Sequence, residues 1–298
     1  MTYSIVARDP ETGELGVAVQ SHWFAAGVVC WARAGVGAVA TQATALIEHG
    51  PLALDRLERG LGAEAALAAR GRADGDFGVR QVAVLDASGA VAVHTGESCI
   101  PEAGHRVGSG FSCQANMMRR DTVWDAMALA FEAAEGPLAE RLLGALDAGE
   151  AEGGDLRGRQ AARVLVVRGQ RTDRPWEDVR LDLRVDDHPD PLAELRRLLV
   201  LTRSYDRLER AEELELAGDA EAALGERRAA IEGSGGNPEA GFWTAVSLAV
   251  QGRTDEARPL VAAAVRADPG WADLLRRLGQ RRLSGVTPET ASELLREA

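Results

Sequence analysis

Thr2, directly behind the initiator methionine, is the residue of this chain whose position says most about chemistry. A side chain that small permits removal of Met1, leaving a hydroxyl and a free α-amine on one residue. That pair is a self-contained acyl-transfer catalyst: the hydroxyl attacks a carbonyl carbon while the amine, with a pKa near about 7.7, takes its proton. Many proteins begin this way, so the position alone does not select a function. Ser4 carries the same hydroxyl but stays inside the chain without an α-amine, and reads as a strand residue. His22, His94 and His105 stand at no metal-ligand spacing and read as structural. Asp186, Asp187, His188 and Asp190 look like an acidic metal cluster, yet Pro189 and Pro191 suggest a rigid junction instead. The stretch from Gly104 to Gly110 is glycine-rich but lacks the Lys-Ser/Thr ending of a phosphate loop and reads as a plain loop. Cys30, Cys99 and Cys113 are odd in number and widely spaced, which points to inert buried thiols rather than to disulfides or zinc. No metal or organic cofactor is required by any of these groups.

The elements that must position such residues fall into two halves. Strand-like runs at 4–7 and 15–19 flank Asp9-Pro10-Glu11-Thr12-Gly13-Glu14, whose residue types are those of a hairpin turn. Strands at 28–34 and 36–41 surround Gly35, and Leu52, Leu54, Leu57 and Leu61 open a helical stretch running to 69. A second hairpin spans 79–94 around Ala87-Ser88-Gly89. A helical region at 121–148 breaks near Gly136-Pro137, and strands return at 161–168 and 178–184. This order favours antiparallel sheets covered by helices over a doubly wound fold. After the prolines at 189 and 191 only helical pattern remains. There Ala211, Gly218, Ala223 and Ala230 recur as Ala245, Gly252, Ala257 and Ala264, each 34 positions later. That is the tetratricopeptide period, in which small residues let paired helices approach and glycine occupies the turn. Asp268-Pro269 ends the second unit, and 271–278 resembles a capping helix.

Several long motifs resemble the bacterial family called domain of unknown function 1028. They are the opening from Thr2 to Val19, the run from Trp31 to Ala43, His94-Thr95-Gly96, the stretch from Gly153 to Gln160 and that from Leu181 to Pro191. The resemblance covers about residues 2 to 200. It implies an α+β fold: the four-layer αββα sandwich of the Ntn-hydrolase superfamily over 1–190, followed here by a tetratricopeptide-like helical domain over 191–298. It further implies that Thr2 is the nucleophile. Arg33 stands where proteasome-like members place a lysine; its cation would lower the amine pKa and orient the hydroxyl, or it serves as a structural ion-pair partner. Since arginine does not release its proton, the α-amine is left as the base. Asn116 would donate to the developing oxyanion, or hold a turn; the family usually has glycine where this chain has Ala115. Asp155 would orient a substrate or bind the terminal amine, or clasp a loop together with Arg157.

Hydrophobic residues make up 46% of the 298, enough for a sizeable core, and the formal net charge is −12. An acidic chain repels phosphate backbones, so nucleic-acid binding is not expected. No signal-peptide pattern and no apolar run of about 20 residues is present, so a cytoplasmic protein without membrane partners is expected. The expected function is hydrolysis of an amide bond in a small molecule or short peptide through Thr2. The alternative is a non-catalytic scaffold that binds a protein partner through its helical repeats. Homo-oligomerisation is expected by analogy with other sheet sandwiches of the superfamily.

Overall fold

The turn residues at 9–14 do what their chemistry dictates. In the computed structural model, which describes residues 2–296, Asp9 Oδ1 accepts from the backbone N–H groups of Glu11 and Thr12, and Gly13 takes the left-handed φ of +74° that closes the hairpin. The chain divides into two compact units, Met1–Arg196 and Arg197–Ala298.

In chain order, the first unit contains β1 (Thr2–Arg8), β2 (Leu15–Ser21), β3 (Cys30–Arg33), β4 (Gly37–Ala43), α1 (His49–Glu58), α2 (Ala63–Ala73), β5 (Arg80–Asp86), β6 (Val91–Thr95), β7 (Gly104–Gly108) and β8 (Phe111–Asn116). It continues with α3 (Val123–Ala133), α4 (Leu138–Ala151), β9 (Ala161–Val167) and β10 (Val179–Val185). The strands make two antiparallel sheets, one of six in the order β10-β9-β2-β1-β8-β7 and one of four in the order β3-β4-β5-β6. The sheets face each other, while α1 and α2 cover the outside of the smaller sheet and α3 and α4 the outside of the larger. Strand alternation sorts the side chains. Val6, Val17, Val19, Ala38, Ala40, Ala83 and Leu85 meet between the sheets, whereas Val39, Val82 and Val84 meet Leu54, Leu57 and Leu67 of the helices.

Two sequence expectations change. The helical stretch at 52–69 is two helices, because Gly60 takes φ +91° and ends α1. The stretch at 104–110 is a strand and its turn, not a loop. Its glycines make room for rings: a Cβ on Gly104 would lie 2.5 Å from Trp124, and one on Gly108 would lie 2.1 Å from Phe111. The acidic group at 186–190 closes the last strand and starts a helix. Asp186 pairs with Arg184, Asp187 accepts from Gln160, and Asp190 Oδ1 accepts from the N–H of Ala193. Among the described residues no group of His, Cys, Asp and Glu is arranged to hold a metal ion, and no helix is long and apolar enough to cross a membrane.

The 26-residue α5 (Pro191–Leu216) leads into the second unit, which continues with α6 (Ala220–Gly233), α7 (Pro238–Val250), α8 (Thr254–Ala267), α9 (Gly270–Arg281) and α10 (Pro288–Leu294). The repeating positions have equivalent surroundings. Ala211, Ala223 and Ala230 are buried, as are Ala245, Ala257 and Ala264, and Gly218 and Gly252 turn between helices at φ +85° and +79°. The chain leaves α8 at Asp268, as its Asp-Pro pair requires.

Candidate functional site

Register places Thr2 at one end of the sandwich. It pairs with Asn116 across β1 and β8, while β2, antiparallel to β1, brings Ser21 to the same end. In the opposite sheet, β4 ends there with Gln42 and Ala43, and β5 begins there with Arg80 and Gln81. Alternation turns Thr2, Ser4, Ser21, Gln42, Gln81, Gln114 and Asn116 toward the space between the sheets, where all seven are at most 5% exposed.

Buried polar groups need partners, and here they find one another, the side-chain oxygen of Asn116 excepted. Thr2 Oγ1 lies 3.0 Å from Ser21 Oγ. The Thr2 carbonyl accepts from Gln42 Nε2 at 3.1 Å and from Asn116 Nδ2 at 3.2 Å. Both amides also donate to Gln81 Oε1, at 2.7 and 3.0 Å. Deeper in, Ser4 Oγ donates to Gln42 Oε1 at 2.7 Å and accepts from Gln114 Nε2 at 2.6 Å. On the outer face of β1, the hydroxyl of Tyr3 donates to Glu150 Oε2 at 2.7 Å; burial first, and then that carboxylate, raise its pKa well above the ordinary value. The first two residues of β1 are thus gripped from both faces.

A pocket of about 250 Å³ opens onto this end, lined by Thr2, Trp23, Val29, Gln42, Ala43, Ala45 and Arg157. Two non-glycine residues flank the polar group in left-handed conformation, Ala43 at φ +71° after Gln42 and Met117 at φ +62° after Asn116. Such strained positions persist only where surrounding structure holds them, and they cluster at functional sites. The surroundings here are visible. Arg80 Nη1 donates to the carbonyl of Thr44 at 2.6 Å while its Nε bonds Asp74 Oδ2 at 2.9 Å. Asp74 also meets Nε2 of the fully buried His49 at 2.9 Å, and His49 Nδ1 accepts from Arg70 Nε at 3.0 Å. The bond from Arg80 is the first of several that hold the Asp74 carboxyl well below the usual range against its desolvation.

The four residues that the sequence singled out meet different fates. Thr2 and Asn116 are neighbours, and Asn116 Nδ2 donates to the Thr2 carbonyl and to Gln81 Oε1. Asp155 is buried beside them. Its carboxylate accepts from the N–H of His22 at 3.0 Å and of Arg157 at 2.8 Å and pairs with the Arg157 side chain. It therefore clasps the turn after Ser21 to the loop that carries Arg157. Arg33 is not brought to this site. It pairs with Gly37 at the far end of β4, about 17 Å of strand from Gln42 at 3.4 Å per residue, and its guanidinium holds Asp55 and Glu58. The loss of Met1 that the sequence reading expects lies outside the described residues.

Ser21, Gln42, Gln81 and Arg157 escaped the sequence reading. The first three carried a signal, each being a polar residue on the apolar parity of a strand. Arg157 carried none of its own; it was named only as the partner of Asp155, since only tertiary contact brings a loop residue to a pocket.

The family described as "Family of unknown function (DUF1028)" matches residues 2–195. A crystal structure of a protein from Silicibacter pomeroyi, assigned to the same family, is 32% identical and superposes with a TM-score of 0.60. The match covers 66% of this chain and 84% of that one. No curated protein matches the chain.

Proposed function

The chain belongs to the DUF1028 family, and from that premise we propose that it is an amide-bond hydrolase of the N-terminal-nucleophile type, with Thr2 as nucleophile once Met1 is removed. The observation that carries the reading is the Thr2 hydroxyl at 3.0 Å from Ser21, on the wall of a pocket and beside the amides of Gln42 and Asn116 that hold the Thr2 carbonyl. The layering of two facing sheets between helix pairs also supports an αββα sandwich of the Ntn kind.

In the proposed reaction, Thr2 Oγ1 attacks the substrate carbonyl carbon and its proton passes to the α-amine. The tetrahedral intermediate collapses with cleavage of the C–N bond, and the ammonium returns the proton to the leaving amine. Water then attacks the resulting ester, with the α-amine again as base, and frees the carboxylic acid. Gln42 and Asn116 fix the Thr2 carbonyl, so that the hydroxyl and amine start from one geometry. Trp23, Val29, Ala43 and Ala45 would receive an apolar portion of a small substrate.

Intact mass with N-terminal sequencing is the first test. A chain beginning at Thr2, with amide hydrolysis abolished in Thr2→Ala, is the expected result; a chain retaining Met1 in its own host would sink the reading.

A second reading has an observation of its own. In the helical unit, whose period is that of tetratricopeptide repeats, a cleft of about 610 Å³ is lined by Leu216, Trp243, Val246 and Val250, with Leu216 91% exposed. An apolar residue so exposed beside a cleft fits a docking site for a protein partner, which is the scaffold alternative.

A further inference from the structure

At the end of the sandwich opposite Thr2, a cleft of about 580 Å³ opens between the β1–β2 hairpin and the segment after β9. Its walls include Arg8, Arg168, Arg171 and Arg180, along with Glu11 and Glu14. In a chain of net charge −12, four arginines in one cleft are a local reversal of sign.

The arginines divide into two kinds. Arg171 and Arg180, near the rim, hold Glu58 and Glu14. Arg8 and Arg168 are half-buried and bonded differently. Arg8 donates through Nε to the carbonyl of Ala87 at 3.0 Å, and Arg168 donates through Nε to the carbonyl of Glu177 at 2.9 Å. Neither lies within ion-pairing distance of a carboxylate among the described residues. Arg80, Arg141 and Arg163, buried to a comparable degree, each hold one. Desolvating an arginine without a counter-charge is costly. Fixing it through Nε leaves its two terminal nitrogens as a preset fork, the geometry that matches oxyanions.

Backbone packing keeps the forks in place. Arg8 passes over two left-handed glycine turns; its Nη2 lies 3.6 Å from where a Cβ on Gly13 would be, and its Cδ 3.5 Å from one on Gly89. The N–H of Arg168 donates to Asp178 at 2.9 Å, and its carbonyl accepts from Gly35 at 3.2 Å. Arg8 and Arg168 sit at the ends of β1 and β9, the two neighbours of β2, so their main chains are about 10 Å apart. Both side chains line the same cleft, and that separation suits a compact anion with more than one charged group.

We propose that this cleft binds a small phosphoryl oxyanion of the phosphate or pyrophosphate type, held between the guanidinium forks of Arg8 and Arg168. The site is about 20 Å of strand from Thr2 and does not depend on the hydrolase reading.

The test is calorimetric titration of the full chain with inorganic pyrophosphate, inorganic phosphate and succinate at matched ionic strength, so that general screening is held constant. Saturable binding of pyrophosphate is expected, weakened about tenfold or more in Arg8→Gln and in Arg168→Gln, and unchanged in Arg266→Gln of the helical unit. Amide chemical-shift mapping of the unmutated chain with pyrophosphate needs no variant to fold, and shifts confined to residues 9–14 and 168–172 are expected. Absence of saturable binding, full affinity in both variants, or shifts centred elsewhere would overturn the proposal. Equal affinity for succinate would overturn the phosphoryl class.

Discussion

The space between the two sheets has an apolar half and a polar half, built on the same strands by the same alternation. Toward β2, β3 and β9 it is filled by Val17, Val19, Cys30, Leu85 and Leu165. Toward β8, and at the Thr2 end, it is filled by Ser4, Gln42, Gln81, Gln114 and Asn116, joined by hydrogen bonds of 2.6–3.2 Å. The first half gains stability from area removed from water and is indifferent to direction. The second gains little net stability but demands one arrangement, since each amide left without a partner costs about 1–3 kcal/mol. A connected polar core is retained where geometry matters more than stability, and here it ends on Thr2.

The largest effect tests whether that end is catalytic. If the hydrolase proposal holds, Thr2→Ala is expected to lower amide hydrolysis by a factor on the order of 10³ or more, with the thermal transition almost unmoved, in an assay of acyl amides against the unmutated chain. Loss of activity with collapse of the fold would mean the polar half is merely structural.

Next come two swaps of nearly constant volume, one in each half. Gln81→Met removes the acceptor shared by Gln42 and Asn116 and is expected to cost about 3 kcal/mol in urea unfolding. Leu85→Met in the apolar half is expected to cost less than about 1.5 kcal/mol. Equal costs would erase the distinction between the halves.

A pH dependence sharpens the account of the rim. The Asp74 carboxyl is held below its ordinary value, first by Arg80. Its contribution is therefore complete above the unfolded pKa of about 3.9 and is lost as pH falls from there toward the folded value. The stability gap between the unmutated chain and Asp74→Asn should shrink as pH falls below about 4; a gap that stays level from about pH 4 to about pH 2 would refute the assignment.

The smallest effect is a null in the apolar half. Burial pushes the Cys30 thiol up to about 12, so it should not react with a thiol reagent at pH 8 unless the chain is unfolded. Rapid labelling of Cys30 in the native protein would show that this half is open to water.

Much of this was legible before any fold was known, because it rests on local chemistry. Asp9, Thr12 and Gly13 carry their hairpin in their own side chains and φ preferences. The break at Gly136-Pro137 and the small residues repeated at 34 positions likewise act on their immediate neighbours. The glycine-rich strand at 104–108 was not legible, since what makes glycine necessary there is the ring of Trp124 and that of Phe111, which reach it only after folding.

The division is the same at the site. Sequence by itself determined that a strand runs through 4–7 close behind Thr2 and that helices follow the prolines, and the family resemblance drew attention to Asn116 and Asp155. Tertiary structure alone decided that Gln42 and Gln81 from the other sheet would hold the Thr2 carbonyl, and that Arg33 would be drawn to Asp55 and Glu58 instead. The physical reason is that alternation tells a side chain which face it joins, whereas register and sheet packing decide which partners await it there.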